Sequence, residues 1–344
     1  MKNKTTSQTN RISGSQLAAM LLTGDVFSLF CLNGKVSVIT AAGFLTAAAI
    51  QLLLMLPIAV TLKKGCCTEK ISEALLLAAI ILSGAMIFRM QWDASRVIHI
   101  PTGNAHGIVE KLIISGLIAL VCLYISSTGV KALARASVIA GAVGAIGIAV
   151  VIMSALFKAS PENFSRCENT LSFGDEVVRA LAVSSDSATL IVLLTLTKAH
   201  EPQGVFRYFI AKSVITSAML LTTVLVVGGV MSITDFPLIT AARLSQPFSV
   251  QRIDSLFLMN FAVFAVFSIA VRSASAAYLV GKLFPKFSRF RSSAVLLLMI
   301  LTALFLPESR FYALSAAVLP IAVLLILALK KSLRRKGGTY EKHC

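Results

Sequence analysis

Charge is scarce in this sequence. Only 14% of its 344 residues are Asp, Glu, Lys or Arg, where a soluble globular chain carries about 25%. Acids are scarcest, with 15 in all against 57% hydrophobic residues. That balance excludes an ordinary soluble enzyme, a disordered tail and a disulfide-rich mini-domain. Cysteine is sparse and unpatterned: Cys31, Cys66, Cys67, Cys122, Cys167 and Cys344 have neither metal-ligand nor framework spacing. Cys66 and Cys67 sit among lysines and are expected to face a reducing cytoplasm. The four histidines are scattered, and His99 and His106 share a connection that offers no third ligand. No hydrolase elbow, P-loop or HExxH occurs. The chain is therefore not read as an enzyme and calls for no cofactor and no metal.

What is present is long apolar runs. A helix needs about 20 apolar residues to cross a bilayer. Reading between charges gives ten runs: Ile12–Asn33, Val36–Leu62, Ile71–Phe88, Leu112–Thr128, Ala136–Phe157, Glu176–Thr197, Tyr208–Gly229, Ser255–Val271, Ser292–Leu306 and Phe311–Leu329. The start lacks a signal-cleavage pattern, so the first run is read as a retained span. The ending Glu341-Lys342-His343-Cys344 is not a prenylation box.

The net charge of +17 would suit nucleic acid only if the basic residues formed a folded polar surface. They lie instead in short gaps between the runs, as in the loops of a multi-span protein. With both termini cytoplasmic, 21 basic residues fall inside and ten outside. Lys212 counts among the inside residues. Arg272, left out of the count, is expected to end the eighth span and snorkel to the cytoplasmic interface beside Ser273 and Ser275, in preference to a role as a buried counter-ion. The longer polar connections, Arg89–Lys111, Lys158–Asp175 and Met231–Asp254, fall outside and are long enough to hold short helices. Gly141, Gly144 and Gly147, three apart in the fifth span, are read as a helix-packing face.

Two acids interrupt the runs. A carboxylate in the membrane is costly unless paired, hydrated or protonated, and it marks a functional site by default. Asp25 follows Thr23 and Gly24 in the first span. Asp186 lies with Ser184, Ser185 and Ser187 in the sixth. Glycine and clustered serine weaken a helix. The first and sixth spans are equivalent positions in a chain of two five-span halves, and paired interruptions point to a midplane transporter site. Thr23, Gly24, Asp25, Ser184, Ser185, Asp186 and Ser187 are thus the candidate ligand-binding residues. The bland alternative is that each acid pairs with a neighbouring hydroxyl or lysine.

Two stretches carry a resemblance. Tyr124-Ile-Ser-Ser-Thr-Gly129 followed by Arg135, and Phe236-Pro237-Leu238 with Arg243 and Gln251-Arg252-Ile253-Asp254, fall at the fourth span and before the eighth. They resemble the spore germination permeases, the B subunits of nutrient germinant receptors. The opening Ile12-Ser13 with Gln16-Leu17 is similar too. The family has Gly and Pro late in its first span and a Trp after the Arg–Asp pair; this chain has Asp25 and Asn260-Phe261 there. The resemblance implies the amino acid–polyamine–organocation superfamily. Its fold would be an all-α integral membrane protein of ten transmembrane helices in a 5+5 inverted repeat of LeuT type, with helices 1 and 6 broken. The repeats would be residues 12–157 and 174–329, with a basic cytoplasmic tail at 330–344. It implies a small-nutrient sensor in the bacterial cell membrane or inner spore membrane. Its partners would be A and lipoprotein C subunits and a bilayer with anionic lipids. Tyr124, Gly129, Arg135, Arg243, Arg252 and Asp254 would be structural or partner-facing residues. The alternative on the same fold is a secondary amino acid or cation transporter coupled to H⁺ or Na⁺.

Overall fold

The structure, a computed structural model, describes residues 12–63, 70–98, 108–166, 172–184, 186–197, 202–228, 235–244, 253–285 and 290–305, with positions 318 and 322. Twelve helices form there. They are α1 (Gly14–Phe30), α2 (Val38–Lys63), α3 (Lys70–Ile98), α4 (Ile108–Ser127), α5 (Val130–Leu156), α6 (Asn163–Arg166), α7 (Phe173–Val183), α8 (Ser187–Leu196), α9 (Pro202–Val227), α10 (Pro237–Leu244), α11 (Ile253–Leu283) and α12 (Arg291–Phe305). Five are long and apolar enough to cross a membrane, or six if α7 and α8, bent by 44°, form one span. Three shorter apolar helices, α1, most of α4 and α12, add to them. The chain is a multi-pass membrane protein. The tenth apolar run lies outside the described residues apart from Val318 and Ala322, as does the basic tail.

Several boundaries differ from those read between charges. The third run, expected to end at Phe88, belongs to a helix that continues to Ile98 through Arg89 and Asp93. Part of the expected loop Arg89–Lys111 is therefore helical. The eighth run continues past Arg272 to Leu283. A charge ends a span in sequence, but within the fold a helix runs on wherever that charge finds a partner. The first span is also unbroken: α1 is one continuous helix. The Thr23 and Ser28 hydroxyls donate back to the Met20 and Gly24 carbonyls, at 2.8 and 3.0 Å, so they do not open the backbone. The sixth run is broken between Val183 and Ser187, as expected.

Local chemistry fixes the ends of these helices. Ser13 and Gln16 form a capping box at the start of α1: the Gln16 N–H donates to Ser13 Oγ and the Ser13 N–H to Gln16 Oε1. Ser172 caps α7, whose first turn carries Asp175 and Glu176, a sign that suits a helix N-terminus. Gly129 joins α4 to α5 at φ +91°, with no described residue within 4 Å of where a Cβ would sit; the backbone conformation requires glycine.

Helix α1 is buried over most of its length and packs against α5, α9 and α11. Phe30 meets Phe257 edge-on at 4.9 Å, and Phe27 meets Phe261 at 5.1 Å, joining α1 to α11. Helix α2 packs on α7 and α9, and α3 on α11 and α12. The connection between α1 and α2 is clasped to α7. There Arg179 donates to the backbone carbonyls of Asn33 and Lys35, and Thr40 donates to Glu176 at 2.9 Å. At the other end of α1, Ile12 bridges to Thr197, and Gly14 meets the Gly204 backbone.

Two of the three glycines of the fifth span are packing positions. A Cβ on Gly144 would sit 2.1 Å from the Phe264 ring, and one on Gly147 would sit 2.0 Å from the Asn260 amide nitrogen. Among the described residues Gly141 has nothing within 4 Å. Gly144→Ile should therefore destabilise the fold by about 1–3 kcal/mol, the usual cost of overpacking. Ile146→Leu on the exposed side of α5 should be neutral. Thermal unfolding of the purified protein followed by size-exclusion elution checks this; equal midpoints for the two variants would contradict the packing.

Candidate functional site

Four charged side chains lie buried where α1, α8, α9 and α11 meet: Asp25, Asp186, Lys212 and Arg272, each at most 4% exposed. They form two ion pairs. Lys212 Nζ lies 2.8 Å from Asp25 Oδ1, and among the described residues that oxygen accepts no hydrogen bond. The Tyr208 hydroxyl donates to the other oxygen of Asp25 at 2.5 Å. Tyr208 is one turn before Lys212 on α9, and the ammonium also lies over its ring at 5.4 Å. The second pair is Arg272 with Asp186. Arg272 also donates to the Ser268 carbonyl at 3.0 Å and to the Ser268 hydroxyl, one turn earlier on α11.

Gly24 and Asp25, consecutive on α1, touch the two pairs. A Cβ on Gly24 would lie 2.9 Å from Asp186 Oδ2 and 3.1 Å from an Arg272 nitrogen. Glycine is needed because α1 presses directly on the second pair. Gln51 on α2 links the first pair to the break in span six. It accepts from Lys212 Nζ at 3.2 Å and donates to the Ser184 carbonyl at 3.0 Å. That carbonyl belongs to the C-cap of α7, one of the backbone groups that helix ends leave without intrahelical partners. Asp186 precedes α8, but its side chain makes no capping bond there, having turned to Arg272.

Of the sequence candidates, Gly24, Asp25, Ser184 and Asp186 are thus brought into one assembly. Thr23 and Ser187 are buried beside them on α1 and α8. Ser185 lies outside the described residues. The expected place of Arg272 at a span end is overturned: it is 2% exposed and neutralises Asp186. Lys212, counted with the inside loops, is likewise a core residue. Tyr208, Gln51 and Ser268 were missed. The available signal was that Lys212 lies inside an apolar run and Arg272 just past the end of one, each one turn after a hydroxyl residue.

The residues expected to be structural or partner-facing lie elsewhere. Tyr124 is 73% exposed near the end of α4, Arg135 is exposed on α5 and Arg243 is exposed in the last turn of α10. Arg252 lies outside the described residues, and Asp254 falls in the first turn of α11. Among the described residues no group of three His, Cys, Asp or Glu could hold a metal.

No family model and no curated protein matches the sequence. Solved structures do match. One is described as the substrate-bound outward-open state of a Na⁺-coupled sialic acid symporter. It is 13% identical with a TM-score of 0.58, over 94% of this chain and 75% of that one. At this identity the likeness is one of fold, and the fold is one that a membrane symporter uses.

Removing one member of a buried pair strands the other and costs about 3–5 kcal/mol, whereas replacing both by apolar or neutral groups is close to neutral. Arg272→Met alone, and Asp186→Asn alone, should each lower the unfolding midpoint clearly. The double variant should recover most of the loss. A double-mutant cycle with additive losses would show that the two side chains do not pair.

Proposed function

We propose that this protein is a secondary transporter for a small zwitterionic solute of amino acid type. The observation that carries the reading is the neutral charge quartet at the break of span six. A membrane scaffold has no use for four buried charges in that place. A zwitterion can enter without changing the total charge: its ammonium replaces a base at Asp25 or Asp186, and its carboxylate meets the base so released. The α8 N-terminus adds to this, since its first N–H groups suit an anion and Asp186 does not cap them. Thr23, Gly24, Ser184, Ser185 and Ser187 would shape the space around the solute. Each internal pair then works as a latch that solute binding opens, and the solute shifts the equilibrium only by its differential affinity for the two states.

The finer architecture belongs to the same proposal. Ten spans in two inverted halves, residues 12–157 and 174–329, would place α1 and the α7–α8 pair in matching positions. Both termini would face the cytoplasm; with Lys212 moved into the core, 20 basic residues remain inside against ten outside. The driving ion would be H⁺ or Na⁺.

The second reading is the germinant-receptor B subunit, which the resemblance at Tyr124–Arg135 and Phe236–Asp254 favours. The same solute site would serve it, with A and C subunits reading the conformational shift in the spore membrane.

Proteoliposome uptake separates the readings. Labelled amino acids should accumulate under an imposed pH or Na⁺ gradient, and Asp25→Asn should reduce uptake at least about tenfold, as loss of one charge-assisted contact worth ~1.5–3 kcal/mol implies. Saturable solute binding without uptake under either gradient would reject transport and leave the sensor. Neither binding nor uptake would reject both.

A further inference from the structure

We propose that Gln51 is a positioning residue through which the two ion pairs act on one another: it ties the setting of Asp186 to whether Lys212 is seated on Asp25. The role rests on the transporter reading, in which a solute opens these pairs. Gln51 is the only side-chain amide in α2 and is 6% exposed. An amide buried in an apolar span is costly unless both its ends are used, and here both are. An ammonium only donates and a carbonyl only accepts, so the amide has one orientation: oxygen to Lys212, nitrogen to Ser184.

The Ser184 carbonyl is where the two pairs meet. It accepts from Gln51 on one side and from the Asp186 N–H, at 2.9 Å, on the other; a carbonyl oxygen has two lone pairs and can hold both. The Asp186 carbonyl in turn accepts from the Leu190 N–H at 2.8 Å, the opening bond of α8. One line of hydrogen bonds therefore joins Lys212, Gln51, the Ser184 carbonyl and the backbone of Asp186, whose side chain holds Arg272. An ammonium bonded to the amide oxygen polarises the amide and strengthens the bond that its nitrogen donates. When Lys212 leaves Asp25 and Gln51 for a solute carboxylate, that support is withdrawn and the turn that carries Asp186 is released.

Sequence position singles out the same residue. Gln51 and Lys212 are 161 residues apart, and so are Asp25 and Asp186. In the two proposed halves Gln51 thus holds on α2 the place that Lys212 holds on α9. The packing agrees: α2 lies on α7 as α9 lies on α1. A second lysine at position 51 would add an unpaired charge to a quartet that sums to zero, and it could not accept from Lys212. An amide does what neither a base nor an apolar residue can, accepting from one pair while donating to the backbone of the other.

Hydrogen–deuterium exchange of the purified full chain in lipid nanodiscs tests this without any solute. Gln51→Met, of similar length but without a hydrogen-bonding amide, should speed exchange over residues 186–190 about fivefold, the loss of one hydrogen bond. Helices α2 and α9 should stay protected as before. The charge-balanced Asp25→Asn/Lys212→Met should speed exchange at 186–190 too. Adding Gln51→Met to it should give no further increase, because both changes cut one line. Leu53→Ile, at a position of α2 that is 70% exposed, should change nothing. Size-exclusion elution identifies a misfolded variant. If Gln51→Met misfolds, Gln51→Asn, too short to span both partners, replaces it; if the charge-balanced variant misfolds, the Gln51 arm decides alone. Unchanged exchange in the Gln51 variant, increases that add, or misfolding of both Gln51 variants overturns the proposal. Where uptake occurs, Gln51→Met should lower its maximal rate at least about fivefold and leave the half-saturating concentration unchanged. A raised half-saturating concentration at normal rate would make Gln51 a solute contact and overturn the positioning role. Absence of uptake rejects the transporter and leaves the exchange result standing.

Discussion

An ionised side chain in a bilayer needs a counter-charge, and most of this core follows from that need. Two carboxylates and two bases are buried together and sum to zero. Their pairing lets α11 run through Arg272 and α9 through Lys212 as continuous helices. It also explains why α1 is central: one face of one turn must touch both pairs at once. Gly24 does so by having no side chain, and Asp25 by being charged. A larger residue at position 24 would separate α1 from the Asp186–Arg272 pair and expose that pair to whatever entered the gap.

The two pairs are not held alike. Arg272 is fixed on its own helix by Ser268 and reaches one acid. Lys212 is shared among Asp25, Tyr208 and Gln51, a looser arrangement around a point charge with three donors. Gln51 passes the same network to the carbonyl that ends α7. Gln51 thus joins the Lys212 ammonium directly to the break between α7 and α8. Such a chain of hydrogen bonds is a physical route for coupling, though coupling itself requires two arrangements of the chain.

That the chain is an all-helical, multi-pass membrane protein was legible in the sequence because repeated apolar runs of bilayer length leave too little polar surface for a water-soluble fold. The break at Ser184–Ser187 was legible too: three clustered serines around an acid have weak helical preference in hydrocarbon. Arg272 and Lys212 were misplaced for one reason. Reading spans between charges assumes that a base prefers water, and this fails where an acid from a distant segment waits inside the membrane. The partners Asp186 and Arg272 are 86 residues apart, and no periodicity encodes that meeting. The packing role of Gly144 and Gly147 was readable from spacing, whereas Gly141, in the same pattern, meets no described residue.

The interruption of α1 failed to appear where that of α7–α8 did, and the difference decides what each can offer a solute. Thr23 and Ser28 return their hydroxyls to α1, so its carbonyls and N–H groups stay inside the helix and only side chains are available. At the other break the Ser184 carbonyl is met from outside by Gln51, and the first turn of α8 starts without a side-chain cap. Backbone recognition is therefore possible on one side only. A solute between them would be held by polar backbone from span six and by charge from span one. In the proposed transporter that asymmetry would set the solute's carboxylate toward α8 and its ammonium toward Asp25.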